Sequence, residues 1–285
     1  MPDWEDLRHF VTLAREGSLS AAARVLGVDH ATVARRVAAL EADTGMKLVD
    51  RRARSYVLTD TGRRVADTAA PMEDAAFAVE RTALAAKASQ RGDITISSPP
   101  SLTNALIAPH LLRLGQRHPG IRLTLIGEKR AASLNRREAD IAVRLSRPTE
   151  PGLIARKVGS FGFSLYGSPQ YLKETPPSAF AFIAYDRSMD DSPQQKWLKA
   201  IVASREIVLY SSDLENQTAA ARVGIGLALL PHFIGDPEPG LRRCTIASNA
   251  VRRDVWLVVH RDMRAAPNVR AVMEFLDDCL KDLRR

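Results

Sequence analysis

The chain has 285 residues, 45% of them hydrophobic and 26% charged, with 41 Lys and Arg against 33 Asp and Glu for a formal charge of +8. That composition is ordinary for a globular protein and excludes a disordered, collagen-like or disulfide-scaffold chain, while the length calls for two or three domains. Cys244 and Cys279 form no CxxC pair, no apolar run approaches the roughly 18 residues of a membrane span, and the acidic start lacks a secretory pattern. The expectation is a soluble, cytoplasmic protein of a reducing compartment, with no membrane contact.

The distribution of charge says more than its total. Residues 1–90 hold 13 basic and 13 acidic side chains, so the whole excess lies in residues 91–285. Within residues 24–64, however, nine basic residues face five acidic ones. A basic surplus fits nucleic acid, an anionic surface or acidic ligands, and placement must decide among them.

Residues 19–37 carry the strongest local pattern. Ala23 is small where two helices must cross, and Gly27, four residues on, suits a left-handed turn. Leu26 and Val28 flank that glycine and can bury the corner. Asp29 is placed to cap a second helix, in which Val33, Val37 and Leu40 make one apolar stripe for a core. The spacing predicts a helix-turn-helix whose second helix offers His30, Thr32, Arg35 and Arg36 to a DNA major groove. Next, residues 48–59 place two short apolar strands around the basic tip Arg51-Arg52-Ala53-Arg54, the pattern of a wing. There Arg54 would enter a minor groove and Arg51 would meet phosphate.

Residues 60–89 are Ala-rich and nearly free of glycine, which reads as one long helix. Val65, Met72, Val79 and Ala86 fall seven apart, with Ala69, Ala76 and Ala83 between them. This is a seam suited either to a paired helix or to packing on its own domain. Pro71 removes one helix hydrogen bond and predicts a kink.

From Gly92 onward the texture changes to β-branched runs (residues 94–96, 121–126, 141–143, 207–210 and 255–259) alternating with helical stretches (102–117, 193–202, 214–223 and 268–283). Alternation of this kind implies an α/β domain with a mostly parallel sheet. The segment Ser97-Ser98-Pro99-Pro100-Ser101-Leu102-Thr103 follows the first strand and opens a helix, where hydroxyls and free N–H groups make an anion site. Asp213-Leu214-Glu215-Asn216-Gln217-Thr218 opens another; both segments also read simply as helix caps. Lys129, Arg130, Arg136 and Arg137 read as a solvated face.

No GxSxG, Walker A, HExxH or complete GxGxxG motif occurs, and the six histidines show no metal spacing. Asn216-Gln217-Thr218 matches a glycosylation sequon by chance. No catalytic set, metal site or cofactor is expected. Two functions stay open on the residues alone: a DNA-binding regulator, or a ligand-binding or enzymatic α/β domain with an N-terminal helical association module.

Residues 4–62 resemble the LysR-type transcriptional regulators. The resemblance rests on Leu7-Arg8-His9-Phe10, Gly17-Ser18-Leu19-Ser20-x-Ala22-Ala23, Leu26-x-Val28, Arg35, Leu40-Glu41, Gly45-x-x-Leu48, Arg51 and Leu58-Thr59-x-x-Gly62. It implies a sequence-specific regulator, not an enzyme, controlled by a small-molecule effector. The implied architecture is α/β overall. A winged helix-turn-helix domain (residues 1–59) leads to a linker and dimerisation helix (60–89). An effector domain (90–285) follows, two-lobed and like a periplasmic binding protein, with one lobe near 92–145 plus 262–285 and the other near 150–260.

DNA contact is then expected from Ser18, Ser20, Asp29, His30, Ala31, Thr32, Arg35, Arg36, Arg51 and Arg54, on an inverted-repeat promoter site. The family commonly has Ser-Gln-Pro/Ser-Ala where this chain has Asp29-His30-Ala31-Thr32, a serine where it has Ala34, and a phenylalanine where it has Val49. Its base preference therefore does not carry over. The effector, with a carboxylate suggested by the basic surplus, is expected between the lobes at Ser98, Pro100, Ser101, Leu102, Thr103, Arg144, Ser146, Asn216, Gln217 and Thr218. Two copies would pair through the linker helix and assemble further as a homotetramer.

Overall fold

A computed structural model describes residues 1–50, 56–87, 89–127, 132–246 and 251–284. The chain divides into two compact units, residues 1–83 and 84–285.

The first unit is built on three helices: α1 (Trp4–Glu16), α2 (Leu19–Leu26) and α3 (His30–Thr44). Each is closed by a glycine in the left-handed region, and Gly27, with φ of 68°, makes the turn between α2 and α3 that its spacing predicts. Val33, Val37 and Leu40 are buried together with Phe10, Leu13, Ala22 and Ala23, as the apolar stripe requires. Val28 does not bury the corner: it is exposed, and half-buried Leu26 packs there alone. Two short strands, β1 (Val49–Asp50) and β2 (Val57–Leu58), pair antiparallel with Val49 opposite Leu58, making the base of the wing.

Helix α4 (Asp60–Lys87) continues through Pro71. Its apolar seam divides in two. Val65 and buried Ala69 belong to the first unit's own side, whereas Met72 and Val79 stand 50% and 71% exposed. Glu73, on another face, is held by Arg15 of α1 at 2.7 Å.

The second unit contains strands β3 (Gly92–Ser97), β4 (Ile121–Ile126), β5 (Ile141–Arg144), β6 (Leu153–Gly167), β7 (Phe182–Ala184), β8 (Ile207–Tyr210), β9 (Leu227–Pro231), β10 (Arg242–Cys244) and β11 (Arg252–His260). Its helices are α5 (Pro100–Leu102), α6 (Leu111–Arg117), α7 (Pro169–Glu174), α8 (Pro193–Val202), α9 (Leu214–Arg222), α10 (His232–Gly235) and α11 (Pro267–Cys279). The sheet order is β4-β3-β5-β11-β6-β9-β7-β8, with β10 beside β6.

This sheet is mixed rather than mostly parallel. β3 pairs parallel with β4 and β5, and β7 with β8 and β9, but every pairing of β6 and β11 is antiparallel. Those two long strands run through both halves of the domain. Residues 153–157 of β6 and 256–260 of β11 pair beside β5 in the first half, so the crossings lie inside these strands rather than at the lobe bounds expected near 145–150 and 260–262. A register shift between Val255 and Trp256 marks the crossing in β11.

The helix expected over 102–117 is broken. After α5 the chain makes a π-type turn, with Ala108 N–H donating to Thr103 O, then a tight turn containing Pro109, before α6. The final helix likewise stops at Cys279 and gives way to a 3-10 turn over Lys281–Arg284.

Candidate DNA-binding face and effector cleft

The start of α3 is set by its cap. Asp29 accepts from Thr32 N–H at 2.7 Å and from the Thr32 hydroxyl at 3.0 Å, and these bonds hold its carboxyl below the usual carboxylate range. The Thr32 side chain is thereby tied to the cap. Ser18 similarly caps α2, accepting from Ala21 N–H at 3.2 Å, while Ser20 is exposed.

On the outer face of α3, His30, Ala31 and Arg35 are exposed. Arg36 has a second duty: its guanidinium donates to Asp6 on α1 at 3.0 Å, bracing α3 against that helix and raising the guanidinium pKa. Arg51 and Arg54 lie outside the described residues. Glu41 was missed as a positioning residue. Its Oε1 accepts from Leu48 N–H and Val49 N–H at 2.8 and 3.0 Å, fixing where the wing leaves the helical core. The Leu40-Glu41 dipeptide was the available signal.

In the second unit the two halves enclose a cavity of about 840 Å3. Of the expected ligand residues, Pro100, Ser101, Arg144 and Thr218 line it. Ser98, Leu102, Thr103 and Gln217 are instead buried away from it, and Asn216 is exposed outside it. Gln217 serves its own fold, donating to Ser211 O at 2.7 Å. Ser146 stands in a separate cavity of about 170 Å3, whose wall also includes Arg144. At the start of α5, Pro99 and Pro100 have no N–H to give to the anion site expected there. Arg136 is half-buried and Arg137 exposed; Lys129 and Arg130 lie outside the described residues.

Sequence reasoning missed most of the wall. Phe161 and Phe163 come from β6, and Phe233 from α10; the rings of Phe161 and Phe233 meet edge to face at 4.9 Å. Tyr185 follows β7, with both its backbone groups bonded to the buried Gln195 amide at 3.2 and 2.9 Å. Burial pushes the Tyr185 hydroxyl pKa up. Gln194, also in the wall, accepts from Arg253 at 2.8 Å, and Arg253 donates again to Leu145 O at 3.1 Å.

Among the described residues Arg144 donates only to neutral oxygens: Ser97 O and Oγ, Val143 O, and Ala132 O, at 2.7–3.2 Å. Burial lowers the pKa of both Arg144 and Arg253. Across the cleft, α9 contributes Asp213, which caps it by accepting from Glu215 N–H at 2.7 Å, and Glu215 itself. The Asn104 amide donates to the Glu215 carboxylate, linking the two sides of the opening.

Residues 4–63 match the family described as "Bacterial regulatory helix-turn-helix protein, lysR family", and residues 87–280 match the "LysR substrate binding domain". The chain belongs to the LysR family of transcriptional regulators. It is similar to the AhcY transcriptional activator HvrB of Rhodobacter capsulatus, with 32% identity over 80% of either chain. It is also similar to the Mau operon transcriptional activator of Paracoccus denitrificans, with 27% identity over 97% of this chain and 96% of the other. Among solved structures, the full-length Vibrio cholerae virulence activator AphB shares the fold at a TM-score of 0.59 and 22% identity, covering 96% of this chain and 98% of that one. CrgA of Neisseria meningitidis does so at 0.56 and 24% over the full length of both chains. LysR membership makes this protein a DNA-binding regulator with an effector-binding domain, not an enzyme. Among the described residues no helix is long and apolar enough to cross a membrane, and no cluster of His, Cys, Asp and Glu is fit to hold a metal.

Proposed function

We propose that this LysR regulator reads an inverted-repeat promoter site through the outer face of α3, with Arg35, His30 and Ala31 toward the bases and the wing arginines Arg51 and Arg54 toward backbone and minor groove. The observation that carries this reading is the exposure of Arg35, His30 and Ala31 on a helix whose opposite stripe, Val33, Val37 and Leu40, is at most 1% exposed. Asp29, Thr32 and Ser18 act by setting helix starts, and Arg36 by bracing α3.

The effector sits in the 840 Å3 cavity, whose apolar wall with a few convergent polar groups is what a small-molecule site requires. A carboxylate on the effector suits Arg144, whose hydrogen bonds among the described residues all go to neutral oxygens, with Glu150 acting on it from beyond ion-pair distance. Closure of the two halves around it shifts the population between two assemblies and so repositions paired DNA-binding domains.

Residues 1–59, 60–89 and 90–285 serve as DNA-binding, dimerisation and effector regions of a cytoplasmic homotetramer. Support for pairing through α4 comes from its exposed seam of Met72, Ala76, Val79, Ala83 and Ala86. A second contact is supported by the outer face of the terminal strand β8, where Val208 and Tyr210 are exposed, as are nearby Val223 and Ile225.

The test is a gel shift on the promoter beside the protein's own gene over a range of salt. Specific binding with a steep salt slope, weakened by Arg35→Ala, is expected. Wild-type protein without sequence preference at physiological salt would end the proposal.

A further inference from the structure

The charged side chains around the effector cavity are arranged with their signs apart. On the β5 side stands Arg144, whose acceptors among the described residues are all neutral oxygens, Glu150 acting on it from beyond ion-pair distance. On the opposite side stand Asp213 and Glu215 at the start of α9; neither has a cation within ion-pair distance among the described residues. The remaining charged residue of the wall, Arg222, is already matched by Glu238 at 3.7 Å.

Tyr185 also lines the cavity; burial pushes its hydroxyl pKa up, and Gln194, Arg253 and Asp213 all act on it. Gln194 takes its own hydrogen bond from Arg253 at 2.8 Å. Gln194, held by that cation, and Tyr185 thus both supply polar groups to the cavity wall. Beside these polar groups, the ring cluster of Phe161, Phe163 and Phe233 offers a purely apolar surface.

Closing such a cavity takes both poles out of water, which is costly for any charge left without a partner. A simple carboxylate would meet Arg144 and Tyr185 but leave Asp213 and Glu215 unmatched. A simple amine would do the reverse, and a dicarboxylate would bring like charge against α9. A zwitterion brings opposite charge to both poles. Resting on the effector reading above, we propose that the cavity takes a zwitterion, an α-amino acid with an apolar or aromatic side chain. Its carboxylate lies toward Arg144 and the Tyr185 hydroxyl, its ammonium toward Asp213 and Glu215, and its side chain against the phenylalanine cluster. The unmatched pole rejects the singly charged analogues, so discrimination comes from what the wrong ligand leaves unpaired.

The experiment uses the full-length protein and calorimetric titration with L-phenylalanine, L-tyrosine, L-tryptophan, L-leucine and L-methionine, each beside its decarboxylated amine and its deaminated acid. At least one amino acid binds, and both of its truncated analogues bind roughly tenfold more weakly or worse. Asp213→Asn keeps a helix cap and removes a charge, as Glu215→Gln removes the other. In either variant the advantage of the amino acid over its deaminated acid collapses, an effect that a mere loss of folding would not produce. An amine or acid that binds as tightly as its amino acid overturns the proposal, and so does a set in which nothing binds. A promoter footprint taken with each ligand separates this inference from the reading beneath it. An amino acid that binds without altering the footprint leaves the zwitterion site standing and removes the effector role. A singly charged ligand that binds in the cavity and alters the footprint does the opposite.

Discussion

Residues 1–83 hold the side chains proposed to meet DNA on the outside of a small helical core, whereas residues 84–285 gather those proposed to meet an effector around a cavity of about 840 Å3. In the first unit the groups that fix geometry and the groups that face a partner are neighbours on one helix: Asp29 and Thr32 start α3, and His30 and Arg35 are presented by it. In the second they come from far apart in the chain. Arg144 ends β5, Phe161 and Phe163 lie in β6, and Asp213 starts α9. A surface reader therefore depends on a few local hydrogen bonds, and a cleft depends on long-range strand pairing.

Substitutions that touch only one unit test that contrast. The largest effect is expected at Gly62, where a Cβ would lie 2.1 Å from the Leu48 carbonyl oxygen, a backbone atom with nowhere to go. Gly62→Ala should destabilise the first unit by about 3 kcal/mol. Calorimetry of the full chain should show its transition fall while that of the second unit holds; a shared fall would break the two-unit comparison.

Next comes the Gln195 amide in the second unit, which is fully buried and serves both backbone groups of Tyr185. Gln195→Leu leaves that N–H and C=O unpaired and should cost about 2 kcal/mol, lowering the second unit's transition without weakening promoter binding in a gel shift. Arg35→Ala should do the converse, costing about 1–3 kcal/mol of specific DNA affinity with the thermal transitions unmoved. Asp29→Ala removes a cap worth about 1 kcal/mol, so a small loss of stability should accompany a small loss of DNA affinity; Asp29→Asn should recover most of the stability.

The smallest effect concerns pH. Burial holds His232 below its ordinary pKa of 6.5, and its Nε2 lies 3.0 Å from the Ser164 hydroxyl. As pH falls through 6.5 the unfolded chain takes up a proton that the folded chain resists, so stability contributed by neutral His232 is lost in that direction. The second unit's melting temperature should drop between about pH 7.5 and 5.5, less steeply in His232→Gln.

The helix-turn-helix was legible because each of its parts is a short-range relation. Gly27 after Ala23, Asp29 before His30, and the stripe of Val33, Val37 and Leu40 all fall within a few helical turns. Val28 shows the limit, since apolar character alone does not tell which side of a tight turn faces the core. β6 shows a different limit. Arg156-Lys157 and the glycines at 159 and 162 interrupt its alternation, yet it is the 15-residue strand that joins the two halves, because β11 and β9 supply its hydrogen bonds from some 60 to 100 residues away in the chain.

The sequence by itself determined two domains and a long helix, a helix-turn-helix with Arg35 and His30 on the free face of its second helix, and membership of the LysR pattern, all carried by local periodicity, caps and motif spacing. Only the tertiary structure decided that Arg36 is paired with Asp6 of α1, that Ser98, Leu102, Thr103 and Gln217 are buried, and that Phe161, Tyr185, Gln194, Asp213 and Glu215 share one wall. The physical reason is that a cavity is bounded by whatever side chains the paired strands leave facing one another, and no single stretch of sequence contains both sides.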